Sequence, residues 1–204
     1  MFDRSRGVCS FALIALLVSM SVDAAPAVVV ETLAGRKRDP LKLAPSVAAE
    51  VFVFVSVDCA ISRRYAPELR RLQRAFAQKG VHFTLVYPNP AELPAVIRAH
   101  SAAYGVVDAV RDPTQAFTRH VGATVTPEVA VIAANGRLAY RGRIDNRYAA
   151  LGLERRATQH DLAMALTRLL EGRVVHESRT PVVGHWIAAL APGRRVGRGS
   201  PHPR

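Results

Sequence analysis

Cysteine is nearly absent from this chain: two in 204 residues, Cys9 and Cys59, fifty positions apart. That excludes a disulfide scaffold, and with no cysteine two, three or four residues from Cys59 it excludes a C-x-x-C dithiol site. No Gly-rich phosphate loop is present, and the histidines show no metal-ligand spacing, so no organic cofactor and no metal cluster are implied. No apolar run reaches the ~20 residues that span a bilayer. Acidic residues are also scarce, 16 against 28 Lys and Arg, for a formal net charge of +12. The basic residues are scattered and no recognition motif accompanies them. Specific nucleic-acid binding is therefore not expected, and solubility or attraction to anionic surfaces accounts for the charge.

What is present is enough apolar residue, half of the chain, for one sizeable domain. The first two dozen residues have the form of an export signal. Arg4 and Arg6 precede an apolar core from Val8 to Met20, and Val22-Asp23-Ala24 offers a small residue for cleavage after Ala24. A retained N-terminal anchor is the rival reading. Cleavage leaves Cys59 as the only thiol, in an oxidising compartment, with no membrane span. The expected organisation is a signal peptide over 1–24, a domain over 25–187, and a disordered basic tail over 188–204. That tail carries Arg194, Arg195, Arg198 and Arg204 among Gly and Pro.

Residues 27–45 read as a short strand, a turn at Gly35 and a second extended segment. Val51–Val57 is a β-branched and aromatic run suited to a strand buried on both faces. From Ala60 to Gln78, Ile61, Tyr65, Leu69, Leu72 and Phe76 recur at helical steps. The helix is ended by Gly80 and kinked by Pro67. A strand over Val81–Tyr87, a helix over Ala91–Tyr104 and a short strand over Val106–Val110 follow. Asp112 and Pro113 then open a short helix to Val121, with Asp112 as N-cap. Asn135-Gly136 between two β-rich runs, Val129–Ala133 and Arg137–Arg141, predicts a hairpin. Thr158 and Asp161 resemble a capping box for a last helix that Gly172 stops. The order predicts an α/β fold with a mixed central sheet flanked by helices and an N-terminal β extension.

Cys59 stands where a buried strand gives way to a helix. Free N–H groups and partial positive charge at a helix start favour thiolate over thiol; Asp58 opposes this if its carboxylate is close. The alternative is a buried, inert cysteine. Thr126-Pro127 lies just before a strand, as a cis-proline loop or as an ordinary turn.

With these residues in hand the chain resembles the thioredoxin-like superfamily, in the branch of exported redoxins and alkyl-hydroperoxide-reductase (AhpC/TSA)-like proteins. DCAISRRYAPE at 58–68 and YRGRIDNRY at 140–148 carry the resemblance specifically. The tripeptide Thr126-Pro127-Glu128 adds to it, and the likeness runs over about 28–187. The resemblance implies that Cys59 is the attacking sulfur and that Pro127 packs beside it. It also implies that Ser62 occupies the place of the second cysteine of a thioredoxin. Ser56 stands where a peroxiredoxin has Thr or Ser, but that motif's proline is replaced by Phe52. Related sequences carry a cysteine in a Val-Gly-Cys segment; here it reads Val183-Gly184-His185-Trp186-Ile187. If that cysteine resolves the disulfide in relatives, His185 has removed it.

Three functions remain open. In the first, Cys59 is a single redox nucleophile, surrounded by Ser62, Thr126 and Pro127. It serves a client protein disulfide, or a peroxide, and an external thiol resolves it. His185 assists if it folds back; otherwise it is a surface histidine, which is the reading preferred. In the second, Cys59 with His185 or His120 holds a soft ion such as Cu(I). In the third, the domain is a redox-inactive binding module. Arg143 is either near the sulfur, stabilising a thiolate or a peroxide oxygen, or part of a charge-paired loop with Asp145 and Arg147 that locks the hairpin to the last helix. The loop is preferred.

Overall fold

The valine and phenylalanine run in the middle of the chain is buried on both faces. Val51, Val53 and Val55 join one apolar cluster, and Phe52 and Phe54 join another. This is the pattern of a central strand covered on two sides. The computed structural model describes residues 28–105 and 108–190. The leader with Cys9, most of the basic tail and the first two residues of the expected strand at 106–110 lie outside the described residues.

In chain order the elements are β1 (Val30–Thr32), β2 (Lys37–Arg38), β3 (Ala49–Phe54), α1 (Ala60–Ala77), β4 (Val81–Tyr87), α2 (Pro94–Ala102), β5 (Asp108–Arg111), α3 (Ala116–Val121), β6 (Val125–Thr126), β7 (Glu128–Ala133), β8 (Leu138–Gly142), β9 (Tyr148–Ala150), β10 (Leu153–Glu154), α4 (Asp161–Leu170) and β11 (His185–Trp186). A seven-stranded sheet runs β2-β1-β5-β4-β3-β7-β8. Strands β3, β4 and β5 are parallel, while β1, β7 and β8 join antiparallel. Two-residue β6 and β11 pair apart from the main sheet, with His185 opposite Thr126 and Trp186 opposite Val125. The sheet is the expected mixed one, and β1 and β2 form the expected N-terminal extension.

The two clusters divide the helices. Leu69 and Leu72 of α1, Ile97 of α2, and Leu162 and Leu166 of α4 cover one face. Phe117 and Val121 of α3 cover the other, with Phe117 edge-on to Phe52 at 4.7 Å between ring centroids.

Helix α1 runs as one helix with Pro67 inside it, as expected. Helix α2 begins at Pro94, later than expected, because Leu93 is its extended N-cap residue and Pro94 supplies its first turn. Helix α3 also begins late. Its N-cap is Gln115, in the left-handed conformation at φ 52°, and not Asp112. Asp112 nevertheless serves the helix from a distance, its Oδ2 accepting from the Thr118 amide and hydroxyl at 2.7 Å each. The expected capping box of α4 does not form: His160 is the N-cap residue, without a side-chain cap bond. Thr158 accepts instead from Asn146 at 2.9 Å, and Asp161 is held by Arg143.

Candidate functional site

Strand β3 ends at Phe54, and after a turn Cys59 becomes the N-cap residue of α1. Its backbone is extended and its carbonyl accepts from the Arg63 amide at 3.2 Å. Its sulfur takes the role that a serine or aspartate oxygen usually fills, accepting from the Ser62 amide at 3.4 Å. The first turn of α1 carries no acidic residue to oppose a thiolate there. Asp58 is exposed, and no hydrogen bond joins it to the sulfur.

Two further groups meet the sulfur. The thiol donates to the Thr126 carbonyl at 3.2 Å, in the residue that precedes Pro127, and the Thr126-Pro127 peptide bond is cis. His185 Nδ1 stands 3.3 Å from Sγ. Burial pushes the thiol up. The Ser62 hydroxyl and amide, the His185 ring and Thr126 act against burial and outweigh it, leaving the Cys59 pKa below the ordinary thiol value. In the thiolate the carbonyl contact is lost as a hydrogen bond, and the Ser62 amide and the imidazole carry the charge. The Ser62 hydroxyl is fully buried and has no competing hydrogen-bond partner among the described residues, so its O–H is free to turn onto the sulfur and support the thiolate.

His185 departs most from the preferred expectation of a bystander at the surface. It is exposed, yet one ring nitrogen reaches Cys59, because β11 pairs with β6 and brings position 185 across from Thr126. Gly184 makes the approach possible, since a Cβ there would lie 2.4 Å from the Thr126 carbonyl oxygen. With His185 in place only 2% of Cys59 is exposed.

Arg143 is committed elsewhere. Its guanidinium binds Asp161 at 2.8 and 3.2 Å and Gln159 at 2.7 Å, and it makes no hydrogen bond to the sulfur. These are the contacts of the charge-paired loop. Arg147 pairs with Asp145, which also accepts from Tyr65 of α1 at 2.7 Å. Ser56 is likewise turned away, donating to Glu92 at 2.8 Å. Cys59 and His185 are donors of the soft-ion type, but among the described residues no third His, Cys, Asp or Glu joins them, and His120 is not in the cluster. Among the described residues the one three-residue group, Glu68, Asp145 and His160, has its carboxylates occupied by Arg71, Arg147 and Tyr65.

Three supporting residues escaped sequence reasoning. Glu128 is buried, and its Oε2 accepts from the Thr124 and Val125 amides at 2.7 and 3.3 Å, fixing the loop that presents Thr126. The Glu of the Thr-Pro-Glu tripeptide was the available signal. Glu92 accepts from the Val57 amide at 2.9 Å as well as from Ser56, and burial raises its pKa. Gln115 donates to the carbonyls of Pro88 and Ala188 at 3.2 and 2.8 Å, tying the C-terminal segment to the loop after β4. No local pattern marks Glu92 or Gln115, whose partners are distant in sequence. A groove of about 320 Å³ opens beside the site between Pro88, Pro90, Thr126, Trp186 and Leu190.

A family model, Redoxin, matches residues 22–151. The chain belongs to the redoxin family. The match includes Cys59, Thr126 and Pro127 and stops short of His185. No curated protein matches this redoxin. Among solved structures it is similar to an uncharacterised conserved protein of Geobacillus kaustophilus, at 25% identity and TM-score 0.69 over 83% of this chain and 92% of that one. It is also similar to a hypothetical protein of Sinorhizobium meliloti, at 23% identity and TM-score 0.68 over 80% and 91%. A more distant likeness is to DsbF of Mycobacterium tuberculosis, at 16% identity and TM-score 0.51 over 70% and 95%. These likenesses establish a thioredoxin-like fold. No helix of the described residues is long and apolar enough to cross a membrane.

Proposed function

We propose that this redoxin is a single-cysteine thiol oxidoreductase that exchanges disulfides, with Cys59 as nucleophile and an external thiol completing the cycle. The observation that carries this is the sulfur itself, set at the start of an eighteen-residue helix between the Ser62 amide and His185 Nδ1, with its pKa lowered. The thiolate attacks one sulfur of a client disulfide, the client's S–S bond breaks, and the leaving thiolate takes a proton from solvent. An external thiolate then attacks the mixed disulfide and releases Cys59. Peroxide reduction is less well supported. The Ser56 hydroxyl is bound to Glu92 and the Arg143 guanidinium to Asp161, so neither is aimed at an oxygen on the sulfur. Export rests on the pattern from Arg4 to Ala24, and N-terminal sequencing of the mature protein tests it.

The deciding experiment is the rate of Cys59 alkylation by iodoacetamide against pH, on the full chain with Cys9→Ser. The expected midpoint lies below the ~8.5 of a free thiol and rises in His185→Asn. A midpoint at or above that value, or no alkylation of the folded protein, overturns the proposal and favours a binding module.

A further inference from the structure

Helix α1 is more basic than its service to Cys59 requires. Its eighteen residues carry Arg63, Arg64, Arg70, Arg71 and Arg74 against one acid, Glu68. Arg71 is paired with Glu68 and Arg64 with Glu154. Arg63, Arg70 and Arg74 form no ion pair among the described residues, and their steps of seven and four put them on one line within about 20° around the helix. Two hydrogen bonds carry this line onto the neighbouring elements. Arg70 donates to the Ala103 carbonyl at the end of α2. Arg98 of α2 donates to the Leu33 carbonyl at 2.9 Å, in the turn between β1 and β2, where Arg36 and Lys37 are exposed. A basic face therefore runs from α1 across α2 to that turn. Helix α2 also brings apolar surface to it. Arg98 is the only Lys, Arg, Asp or Glu in that helix, and Ala95, Ala99 and Ala102 are exposed. Val96 is 49% exposed, and Leu93, just before the helix, 62%.

We propose that this face binds an anionic lipid surface. The arginines of α1 and Arg98 meet the phosphate headgroups, while Leu93 and Val96 enter the boundary between headgroups and acyl chains. Charge complementarity selects an anionic partner, since the one acid on the two helices, Glu68, is already taken by Arg71. Shape selects lipid. The apolar part is the outside of one nine-residue helix, a convex surface that a fluid interface can close around and that offers a folded protein no recess to fill. The remaining face, over β7 and β8, is covered by α4, whose exposed side lies away from this stripe. This surface does not depend on the chemistry of Cys59 and stands whether or not the thiol exchanges disulfides.

The test uses the full chain with Cys9→Ser and Cys59→Ser, carrying a polarity-sensitive fluorophore on a cysteine introduced by Val96→Cys or, on α3 across the sheet, by His120→Cys. Vesicles are of phosphatidylcholine alone or of equal parts phosphatidylcholine and phosphatidylglycerol. The probe at 96 is expected to shift to the blue on the anionic vesicles and not on the neutral ones, and raised salt should reverse the shift. The probe at 120 should stay unchanged. Arg63→Gln, Arg70→Gln and Arg74→Gln together should raise the lipid concentration for half the shift about tenfold or more. Arg137→Gln, Arg156→Gln and Arg173→Gln remove the same charge from outside the face and should leave it nearly unchanged. Equal losses in the two triple variants mean that total charge does the binding, and overturn the proposal. So does a shift of equal size at 96 and 120, which places no particular face on the lipid. No shift at 96 on anionic vesicles overturns it as well, and leaves an acidic protein as the partner to seek.

Discussion

At Cys59 two opposed effects meet, and the local hydrogen bonds decide the outcome. Burial favours the neutral thiol, while Ser62 and His185 favour the anion and prevail. The sign for stability follows. A thiol whose folded pKa is depressed stabilises the fold fully above its unfolded pKa of about 8.5, and that contribution is lost as pH falls through the folded value. The melting temperature of the chain should therefore exceed that of Cys59→Ser by a margin that grows as pH is raised from 6 towards ~9. A margin that is flat or shrinks with pH contradicts a stabilised thiolate. The register of His185 has its own consequence. With Nδ1 3.3 Å from Sγ, a sulfur at position 185 needs a shift of only an ångström or two to reach the ~2.0 Å of a disulfide. His185→Cys with Cys9→Ser should oxidise in air to a form with no titratable thiol, and reduction should restore both thiols. Persistent free thiols after oxidation would place β11 elsewhere.

At the scale of elements, what was legible in the sequence was what local pattern determines. Strand β4 matches its expected range of Val81–Tyr87. The Asn135-Gly136 turn joins β7 and β8 as its chemistry requires, with Gly136 at φ 77°. The stepping of apolar residues from Ile61 to Phe76 gave α1, and the change from strand to helix at Cys59 located the sulfur. What was not legible came from partners far away in the chain. Asp112 supports α3 across six residues, the Thr158 and Asp161 pair serves Asn146 and Arg143, and β11 exists only because β6 is there to pair with. The resemblance pointed to position 185 as one where relatives carry a cysteine, but nothing local brought it to Cys59. Gly184 is the hinge of that contact. Gly184→Ala forces a Cβ against the Thr126 carbonyl, an overpacking that costs about 1–3 kcal/mol if the strand stays, whereas leaving forfeits only the pairing of a two-residue strand and the His185 contact. The strand should leave. A bulky maleimide should then label Cys59 several-fold faster while the melting temperature falls only slightly. Unchanged labelling would mean that β11 does not cover the sulfur.

Across the whole molecule, the segment after β8 is bound to the rest by ionic contacts rather than by apolar packing alone. Arg141 pairs with Glu128, Arg143 with Asp161, and Asp145 with Arg147 and Tyr65. These contacts connect the hairpin to the proline loop, to α4 and to α1, so the YRGRIDNRY stretch that identified the family also ties its layers together. Position alone left Arg143 two roles, and a substitution separates them. Asp161 is 3% exposed and Arg143 22%, so truncating the arginine leaves a buried carboxylate without its charged partner. Partial exposure of the guanidinium moderates the penalty to about 2 kcal/mol, below that for a fully buried pair. Arg143→Leu should therefore lower the melting temperature by roughly 4–8 °C in a chain of this size. It should leave the pH midpoint of Cys59 alkylation where it was, because no contact joins Arg143 to the sulfur. If the midpoint rises while the melting temperature holds, the guanidinium acts on the thiolate after all. A fall in melting temperature together with a rise in the midpoint would mean that the loop also aligns the site, through Thr180 and the strand that follows it.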